Sequence, residues 1–418
     1  MSSEFEQNLE KYAELILKVG LNLQKGQRLL IQPFDLSTSF IELAPFVRLL
    51  VKKAYQMGAR FVEVFWNDPQ LYLIRLQHAP RDSFEEFPTW RRDASLEFTQ
   101  KGDAKLTMYA FDPDLLINQD LELMTIVAKT VLKIFTPVRE LTMKNATNWL
   151  IISAPVQGWA KKVFPDLTPN EQIAKLWDEI FDICRVKQKD PVLAWNNHIK
   201  QLHARLNYLN LKQYASLELK APGTDLTIGL PKGHIWIGGS EKSQNGIDFT
   251  PNLPTEEVAT IPHRNMTEGV VTATKPLPLN VLIEDFTLTF SEGRVVNATA
   301  KKGKEMLDKI FEIDEGANYL GEIALVPHSS PISQSNILFY NVLFDENASC
   351  HIALGKGITF ALENGDKMSD EKFRSAGGND SLTHIDFMIG SDKMNIDGIT
   401  EDGTAEPIMR KGEWAFKV

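Results

Sequence analysis

The spacing of apolar residues changes near Tyr214, and this change constrains the fold more than any other feature of the sequence. Before it, apolar residues recur at helical spacing in segments such as 5–19, and short apolar runs such as 27–33 follow them. After it, runs with a period near two, such as 216–220 and 225–229, alternate with clusters of Gly, Pro, Asn and Asp. The chain is therefore predicted to contain two different architectures.

The first architecture is predicted to be an α/β domain over residues 1–205. The run 27–33 precedes a helical pattern over 39–55, and a second β-branched and aromatic run follows at 60–66. A strand, helix and strand in this order imply a parallel pair with a right-handed crossover. We expect a mixed or parallel sheet with flanking helices, followed by a mainly antiparallel α+β domain over residues 206–418.

Charge and cysteine content restrict the class of protein. The formal net charge is −10 and the pI is near 5.4, so a nucleic-acid surface, which needs clustered Lys and Arg, is not expected. The two cysteines, Cys184 and Cys350, lie too far apart in sequence to form a disulfide framework. The N-terminus begins with acids and has no apolar core of a signal peptide, and no run is long enough to span a membrane. We expect a cytoplasmic protein.

Potential metal ligands are concentrated between Gly321 and Gly390, in three short strand-like runs. Oxygen and imidazole donors without thiolate suit zinc, cobalt or manganese. The candidate donors are Glu322, Asp345, Glu346, His351, His384 and Asp386. Chemistry is therefore expected in this part of the second domain.

The run 383–387 shows how a strand can separate these donors from apolar side chains. Successive side chains of a strand face opposite ways, so His384 and Asp386 share one face while Ile385 and Phe387 share the other. The alternative is a polar edge in which Asp386 only orients His384. Glu322 likewise is exposed, paired or metal-bound, because an isolated buried carboxylate is costly.

A pair of adjacent acids, Glu256 and Glu257, lies upstream in the run NLPTEEVAT. In a strand only one of the two can face a shared site. The other is then a neighbouring group, a general base or part of the solvated surface.

Several ordered segments of the second half resemble the M29 family of metalloaminopeptidases. They are NLPTEEVAT, GVVTATKPL, DEGANYLGEIALVP, SPI, LFYNVLFDENASCHIALG and HIDFMIG, and the N-terminal segment NLEKYAELILKVGLNLQKGQRLLI resembles the family as well. The resemblance implies two divalent ions (zinc, cobalt or manganese) in the C-terminal domain and release of single residues from the N-termini of short peptides. It also implies a homodimer.

The resemblance assigns roles to individual residues. Metal ligands carried over by position are Glu257, Glu322, Glu346, His351, His384 and Asp386. Glu257 is preferred as the ligand of the pair, and Glu256 is then the candidate that takes a proton from a metal-activated bridging water.

One departure from the family pattern lies seven residues after His351. The family carries a Tyr there as a donor to the oxyanion, whereas this chain carries Ile358. Loss of such a donor typically costs on the order of 10²- to 10³-fold in rate. Tyr340, Thr359 or Lys356 is expected to substitute, with Tyr340 the catalytic candidate. The alternatives are an impaired homologue that keeps metal and peptide binding, and hydrolysis of another small amide or phosphoester.

Overall fold

The computed structural model describes residues 3–279 and 281–418, and the chain forms two compact units. The first unit contains the residues through Asn197 together with Ser240–Pro254. The second contains His198–Gly239 and Thr255–Val418. The domain boundary predicted between residues 205 and 206 stays a prediction. The two compact units each contain two separate stretches of the chain, which alternate in sequence.

Helices dominate the described part of the first unit and are sparse in the second. They are α1 (Ser3–Leu15), α2 (Ala44–Gln56), α3 (Pro69–His78), α4 (Trp90–Gln100), α5 (Leu121–Met143), α6 (Gln157–Val163), α7 (Pro169–Ile183), α8 (Pro191–Lys212), α9 (Lys304–Phe311), α10 (Pro331–Ser335), α11 (Val342–Asp345) and α12 (Asp370–Ser375). Within these described residues, no helix is both long enough and apolar enough to cross a membrane.

The strands concentrate in the second unit. They are β1 (Arg28–Pro33), β2 (Phe61–Val64), β3 (Ala104–Met108), β4 (Trp149–Ile152), β5 (Ser216–Ala221), β6 (Thr224–Gly229), β7 (Glu241–Lys242), β8 (Asp248–Phe249), β9 (Asn252–Leu253), β10 (Val258–Thr260), β11 (Thr267–Thr272), β12 (Leu277–Pro278), β13 (Leu282–Ser291), β14 (Arg294–Lys302), β15 (Leu320–Leu325), β16 (His351–Gly355), β17 (His384–Met388), β18 (Asn395–Ile399), β19 (Ala405–Arg410) and β20 (Glu413–Trp414).

The first unit is built on a parallel sheet with the strand order β2, β1, β3, β4, β9. β1 pairs with β2 in parallel, as the strand, helix and strand pattern of the sequence predicts. Leu29, Leu30 and Ile31 of β1 are completely buried, which is typical of a strand covered on both faces. β9 is too short to carry a periodic signal, so the sequence did not predict that it joins this sheet.

The second unit contains a nine-stranded sheet in which every pairing is antiparallel. The predicted runs 216–220 and 225–229 are its strands β5 and β6. The fold class expected from the sequence is thus confirmed. The run 234–237 also has a period near two, which predicts a strand, but this prediction is wrong. His234 bridges Leu362 and Ile237 bridges Ala259, so the run pairs with two different partners and forms no continuous ladder.

A smaller antiparallel sheet of the second unit, with the order β10, β15, β16, β17, carries the donors. One set of its side chains enters the large apolar core, including Ile323, Ile352, Leu354 and Phe387. The residues that alternate with them are His351, Ala353, His384, Asp386 and Glu322. The sheet therefore separates an apolar face from a polar one.

Candidate metal centre

Glu322 faces the polar side because β15 contains a bulge. Leu320 pairs with Leu354 and Glu322 pairs with Ala353, so Gly321 is an extra residue in the ladder. Without the bulge, Leu320 and Glu322 would share a face. With it, Leu320 joins the apolar core, while the side chain of Glu322 joins the histidines.

One group of donors combines residues of three separate segments. Oε2 of Glu257 lies 3.1 Å from Nε2 of His351, and Oε1 of Glu322 lies 3.9 Å from the same nitrogen. His351 begins β16, Glu322 lies on β15, and Glu257 immediately precedes β10. Strand pairing across β10, β15 and β16 brings them together.

The second group shares Glu322 with the first. Nε2 of His384 lies 3.2 Å from Oε2 of Glu322 and 3.3 Å from Oδ1 of Asp386. His384 and Asp386 alternate on β17, as the sequence predicts. In each group, one ligand atom per residue can be chosen such that all lie within 4.8 Å of one another.

Both histidines are oriented by backbone carbonyls. The carbonyl oxygen of Ser349 lies 3.1 Å from Nδ1 of His351, and that of Lys356 lies 2.8 Å from Nδ1 of His384. A carbonyl only accepts, so Nδ1 carries the donated hydrogen in both rings. Each Nε2 atom is thereby directed at the carboxylates, in the arrangement that metal-binding histidines usually have.

The electrostatics of the cluster are dominated by its carboxylates. Burial lowers the pKa of His351, but Glu257, Asp386 and Glu322 outweigh it and raise the pKa to about 10. Burial also lowers the pKa of His384, but Asp386 and Glu322 outweigh this effect and raise the pKa to about 12. Burial raises the pKa of Glu322. The cluster thus favours positive charge strongly.

Glu346 belongs to the same electrostatic cluster. Burial, and then repulsion from Glu257 and Asp386, raise the pKa of its carboxyl group well above the usual value. It lies in the short turn Glu346–Ala348 that follows α11, and Nδ2 of Asn347 lies 3.4 Å from its Oε1. Its carboxyl group interacts electrostatically with residues of both donor groups but is a member of neither among the described residues, so its role as a ligand stays a prediction.

These donors fit divalent cations. Oε2 of Glu257 and Oδ1 of Asp386 are buried, and each faces the Nε2 atom of a histidine whose hydrogen lies on Nδ1, so among the described residues neither accepts a hydrogen bond while these rings are neutral. Buried oxygens without donors are costly unless a cation or another donor satisfies them. A mixed set of carboxylates and imidazoles without thiolate suits zinc, cobalt or manganese.

The two adjacent acids point to different partners. Glu257 contacts His351, whereas Oε2 of Glu256 lies 3.6 Å from Nε2 of His198. The same nitrogen of His198 lies 2.8 Å from the carbonyl oxygen of Thr255. The Glu256 carboxylate is nevertheless buried, and its backbone N–H donates to Oδ1 of Asn347.

His198 and Asn347 were not selected from the sequence as site residues. His198 lies on α8, far from Glu256 along the chain, and has no acid at helical or strand spacing. Asn347 directly follows Asp345 and Glu346 in the sequence. This proximity to two acids is the signal that could have marked it as a site residue. The contacts themselves arise only from the tertiary fold.

Tyr340, the predicted catalytic donor, lies in a tightly held turn. Its φ is +54°, in the left-handed region that is uncommon for a residue with a side chain. The N–H groups of Phe339 and Asn341 donate to the two carboxylate oxygens of Asp345, at 2.8 and 2.9 Å. Asp345 is thus an anchor of this turn, and burial raises its pKa to about 7. The role of Tyr340 stays a prediction.

Ile358 lies in an apolar environment. It packs, half-buried, against the cluster formed by Ile261, Ala361, Leu362 and Phe373. The residue is the N-terminal boundary of the short helical turn Thr359–Ala361. An aliphatic side chain at this position therefore has a packing role of its own.

The fold and the site together define a metalloprotein whose centre is built from carboxylates and imidazoles on an antiparallel sheet. Comparison with known proteins identifies the family. The model of the family described as thermophilic metalloprotease (M29) matches residues 5–414. The chain therefore belongs to the M29 family of metallopeptidases, as its sequence segments indicate.

Relatives cover the whole chain. Aminopeptidase 2 of Geobacillus stearothermophilus is 46% identical over 417 residues, which are 100% of both proteins. Aminopeptidase AmpS of Bacillus subtilis (strain 168) is 46% identical over 413 residues, 99% of each. The solved structure of wild-type AmpT from Thermus thermophilus has a TM-score of 0.92 and 41% identity, and the match covers 99% of this chain and 100% of that one.

Proposed function

We propose that this protein is a metal-dependent aminopeptidase that releases N-terminal residues from short peptides. The shared position of Glu322 in two donor groups is the observation that carries the proposal, because it suits two neighbouring cations bridged by one carboxylate. The relatives named aminopeptidase support the activity.

The proposed ligands form two groups that share Glu322. Glu257, Glu322 and His351 would hold one ion, and Glu322, His384 and Asp386 would hold the other. Glu346, which interacts electrostatically with Glu257 and Asp386, is the proposed further ligand. When bound, such a pair of zinc, cobalt or manganese ions polarises a peptide carbonyl and lowers the pKa of water to near neutrality.

The protein's own side chains supply orientation and proton transfer. The carbonyls of Ser349 and Lys356 keep both Nε2 atoms facing the carboxylates. In this proposal Glu256 accepts the proton of the attacking water and passes it to the leaving amine. Its buried carboxylate beside His198 suits a proton acceptor with a fixed orientation. Tyr340 is the proposed donor to the oxyanion.

The experiment that tests this function measures release of the chromophore from aminoacyl substrates with Co²⁺, Zn²⁺ or Mn²⁺ and with a chelator. An aminopeptidase hydrolyses the free aminoacyl substrate only with metal and leaves the N-acetylated form intact. Hydrolysis of the blocked substrate would exclude the aminopeptidase and favour a broader amidase.

A second candidate is a catalytically impaired homologue that keeps metal and peptide binding. Ile358 favours it, since it stands where the resemblance calls for a tyrosine hydroxyl. In that case the protein binds two metal ions and a short peptide but shows no metal-dependent turnover. Isothermal titration with peptide, beside the turnover assay, separates the two functions.

The proposal includes a cytoplasmic homodimer. Both cysteines are free and buried, which suits a reducing compartment. Light scattering coupled to gel filtration gives the mass in solution directly. A mass near that of one 47.2 kDa chain at micromolar concentration would exclude a stable dimer.

A further inference from the structure

The Lys356 carbonyl determines where His384 points. This oxygen accepts the Nδ1–H of His384 at 2.8 Å, and the opposite ring nitrogen is 3.2 Å from Glu322 and 3.3 Å from Asp386. A shift of the carbonyl therefore turns the ring away from both carboxylates. His384 is partly exposed, so its packing alone does not hold it.

Lys356 belongs to a turn, Gly355 to Gly357, that is fixed by hydrogen bonds on both sides. Nδ2 of Asn379 donates to the carbonyl of Gly355 at 2.6 Å, and the N–H of Gly357 donates to the carbonyl of Asn379 at 2.8 Å. The N–H of Lys356 donates to the carbonyl of Thr383 at 2.7 Å. Asn379 is 1% exposed, so solvent cannot replace these bonds easily.

Gly321 leaves the room that the same carbonyl occupies. A Cβ atom on Gly321 would lie 2.5 Å from the Lys356 oxygen and closer still to the Gly355 oxygen. Real side chains do not approach backbone oxygens this closely, so a side chain there forces the turn to move. Gly321 is also the bulge residue that turns Glu322 toward the site. Gly321 therefore lies next to two features that orient proposed ligands: the Lys356 carbonyl, which orients His384, and the bulge, which orients Glu322.

We propose that Gly321 and Asn379 are positioning residues for the metal centre, acting through the Lys356 carbonyl on His384. This inference rests on the proposed two-metal function. Because His351 is held by Ser349 instead, the proposal predicts a selective effect on the ion bound by His384 and Asp386. A purely structural role would weaken both ions alike or neither.

The first test is the metal stoichiometry of Gly321→Ala, measured by equilibrium titration with Zn²⁺ or Co²⁺. We expect one of two ions to bind about 10- to 100-fold more weakly, the usual effect of disturbing a group that orients a ligand. The control is Gly403→Ala, which adds backbone strain because φ is +84° there, but whose Cβ meets no heavy atom within 4 Å, so it shows what general destabilisation alone does to metal binding. Wild-type binding of both ions by Gly321→Ala, or equal loss of both, overturns the proposal.

A double-mutant cycle tests the route through His384. In His384→Gln the side-chain amide retains a ligand atom but no donor at the position of Nδ1. Gly321→Ala is then expected to cause no further loss of the second ion. Additive losses mean that Gly321 acts by another route, such as the bulge at Glu322, and overturn the proposed mechanism.

Asn379→Ala provides a second variant if Gly321→Ala does not fold. It removes the donor to Gly355 without adding a side chain near Gly321. The same selective loss of one ion is expected, about 10-fold. Unchanged affinity for both ions in folded Asn379→Ala contradicts the role of Asn379.

A readout that needs no metal separates this proposal from the proposed function. In the metal-free protein, proton–nitrogen spectroscopy detects the Nδ1–H of His384, which should exchange slowly in the wild type and at least 10-fold faster in Gly321→Ala or Asn379→Ala. Equal exchange rates would contradict the positioning role. If exchange responds but wild type binds no divalent ion, positioning stands and the metalloaminopeptidase proposal fails.

Discussion

Oε2 of Glu322 lies 3.2 Å from Nε2 of His384, while its other carboxylate oxygen lies 3.9 Å from Nε2 of His351. One side chain thus belongs to both donor groups. It reaches this position because the bulge at Gly321 shifts the register of β15 by one residue, so the side chain of Glu322 faces the site.

Replacement of Glu322 is expected to affect two ions, whereas replacement of His384 affects one. Glu322→Gln keeps the shape but loses the charge shared by both groups, so both metal affinities should fall by about 100-fold or more. His384→Ala should remove one ion. Metal content after dialysis, measured by mass spectrometry, gives both numbers.

The control for this change is Glu363→Gln, at an exposed glutamate of the same unit. It should retain both ions. A Glu322→Gln protein that keeps one ion at wild-type affinity would show that the carboxylate serves only one group.

The neighbours Glu256 and Glu257 are expected to separate metal binding from catalysis. Glu257→Gln removes the carboxylate that lies 3.1 Å from His351, so metal affinity should fall at least 10-fold. Glu256→Gln should keep both ions and lose about 10²- to 10⁴-fold in kcat, as expected for loss of a general base. Titration of metal and steady-state kinetics on the same preparations distinguish the two.

The reverse pattern would exchange the assigned roles. If Glu256→Gln loses metal and Glu257→Gln keeps it, Glu256 is the ligand despite its contact with His198. If Glu256→Gln retains both metal and turnover, another group accepts the proton.

Local patterns predicted the face of a strand but not its register. The alternation in 383–387 was enough to place His384 and Asp386 together, because side chains of a strand alternate whatever its partner. The ladder irregularity at Gly321 depends on the partner strand and has no signature in the run GEIAL. The same applies to the carbonyl of Lys356, since a backbone atom acts here through position and not through residue type.

Longer-range contacts were beyond the sequence for a related reason. His198 approaches Glu256 from a helix, and β9 joins the parallel sheet with only two residues, so neither leaves a periodic trace. The family segments nevertheless named the carboxylates and histidines that the fold brings together. They did so through ordered motifs, which carry information about tertiary position that periodicity lacks.

Ile358 provides a test of the oxyanion donor. If the protein is the impaired homologue, Ile358→Tyr should raise kcat on aminoacyl substrates by about 100-fold, whereas kcat should stay nearly unchanged if Tyr340 is the donor, as proposed. Ile358→Phe is the matched control, because it adds the ring without the hydroxyl and has a similar packing effect on Ile261 and Phe373. Equal turnover of the two variants would show that a hydroxyl at this position does not limit the rate, and Tyr340→Phe would then test the proposed substitute.

Lys105 in the first unit is expected to make stability depend on pH. Its side chain is 4% exposed on β3, and Nζ lies 3.2 Å from Oγ1 of Thr142. Burial lowers its pKa from 10.5 to about 8. Below pH 8 both folded and unfolded chains carry the proton, and the folded state bears a penalty of about 3 kcal/mol.

Between pH 8 and 10.5 the unfolded chain binds more protons at this site, so its contribution to stability rises with pH. Lys105→Met removes the buried charge, and Thr142 keeps its own bond to the carbonyl of Val138. We expect the free energy of unfolding of the variant at pH 7 to exceed that of the wild type by about 1–3 kcal/mol, and this difference to shrink near pH 10.5. Urea unfolding at both pH values measures it. The exposed Lys133→Met is the control and should show no such pH-dependent difference. A variant that is less stable than wild type by the same amount at both pH values would mean that the amine stabilises the fold through Thr142.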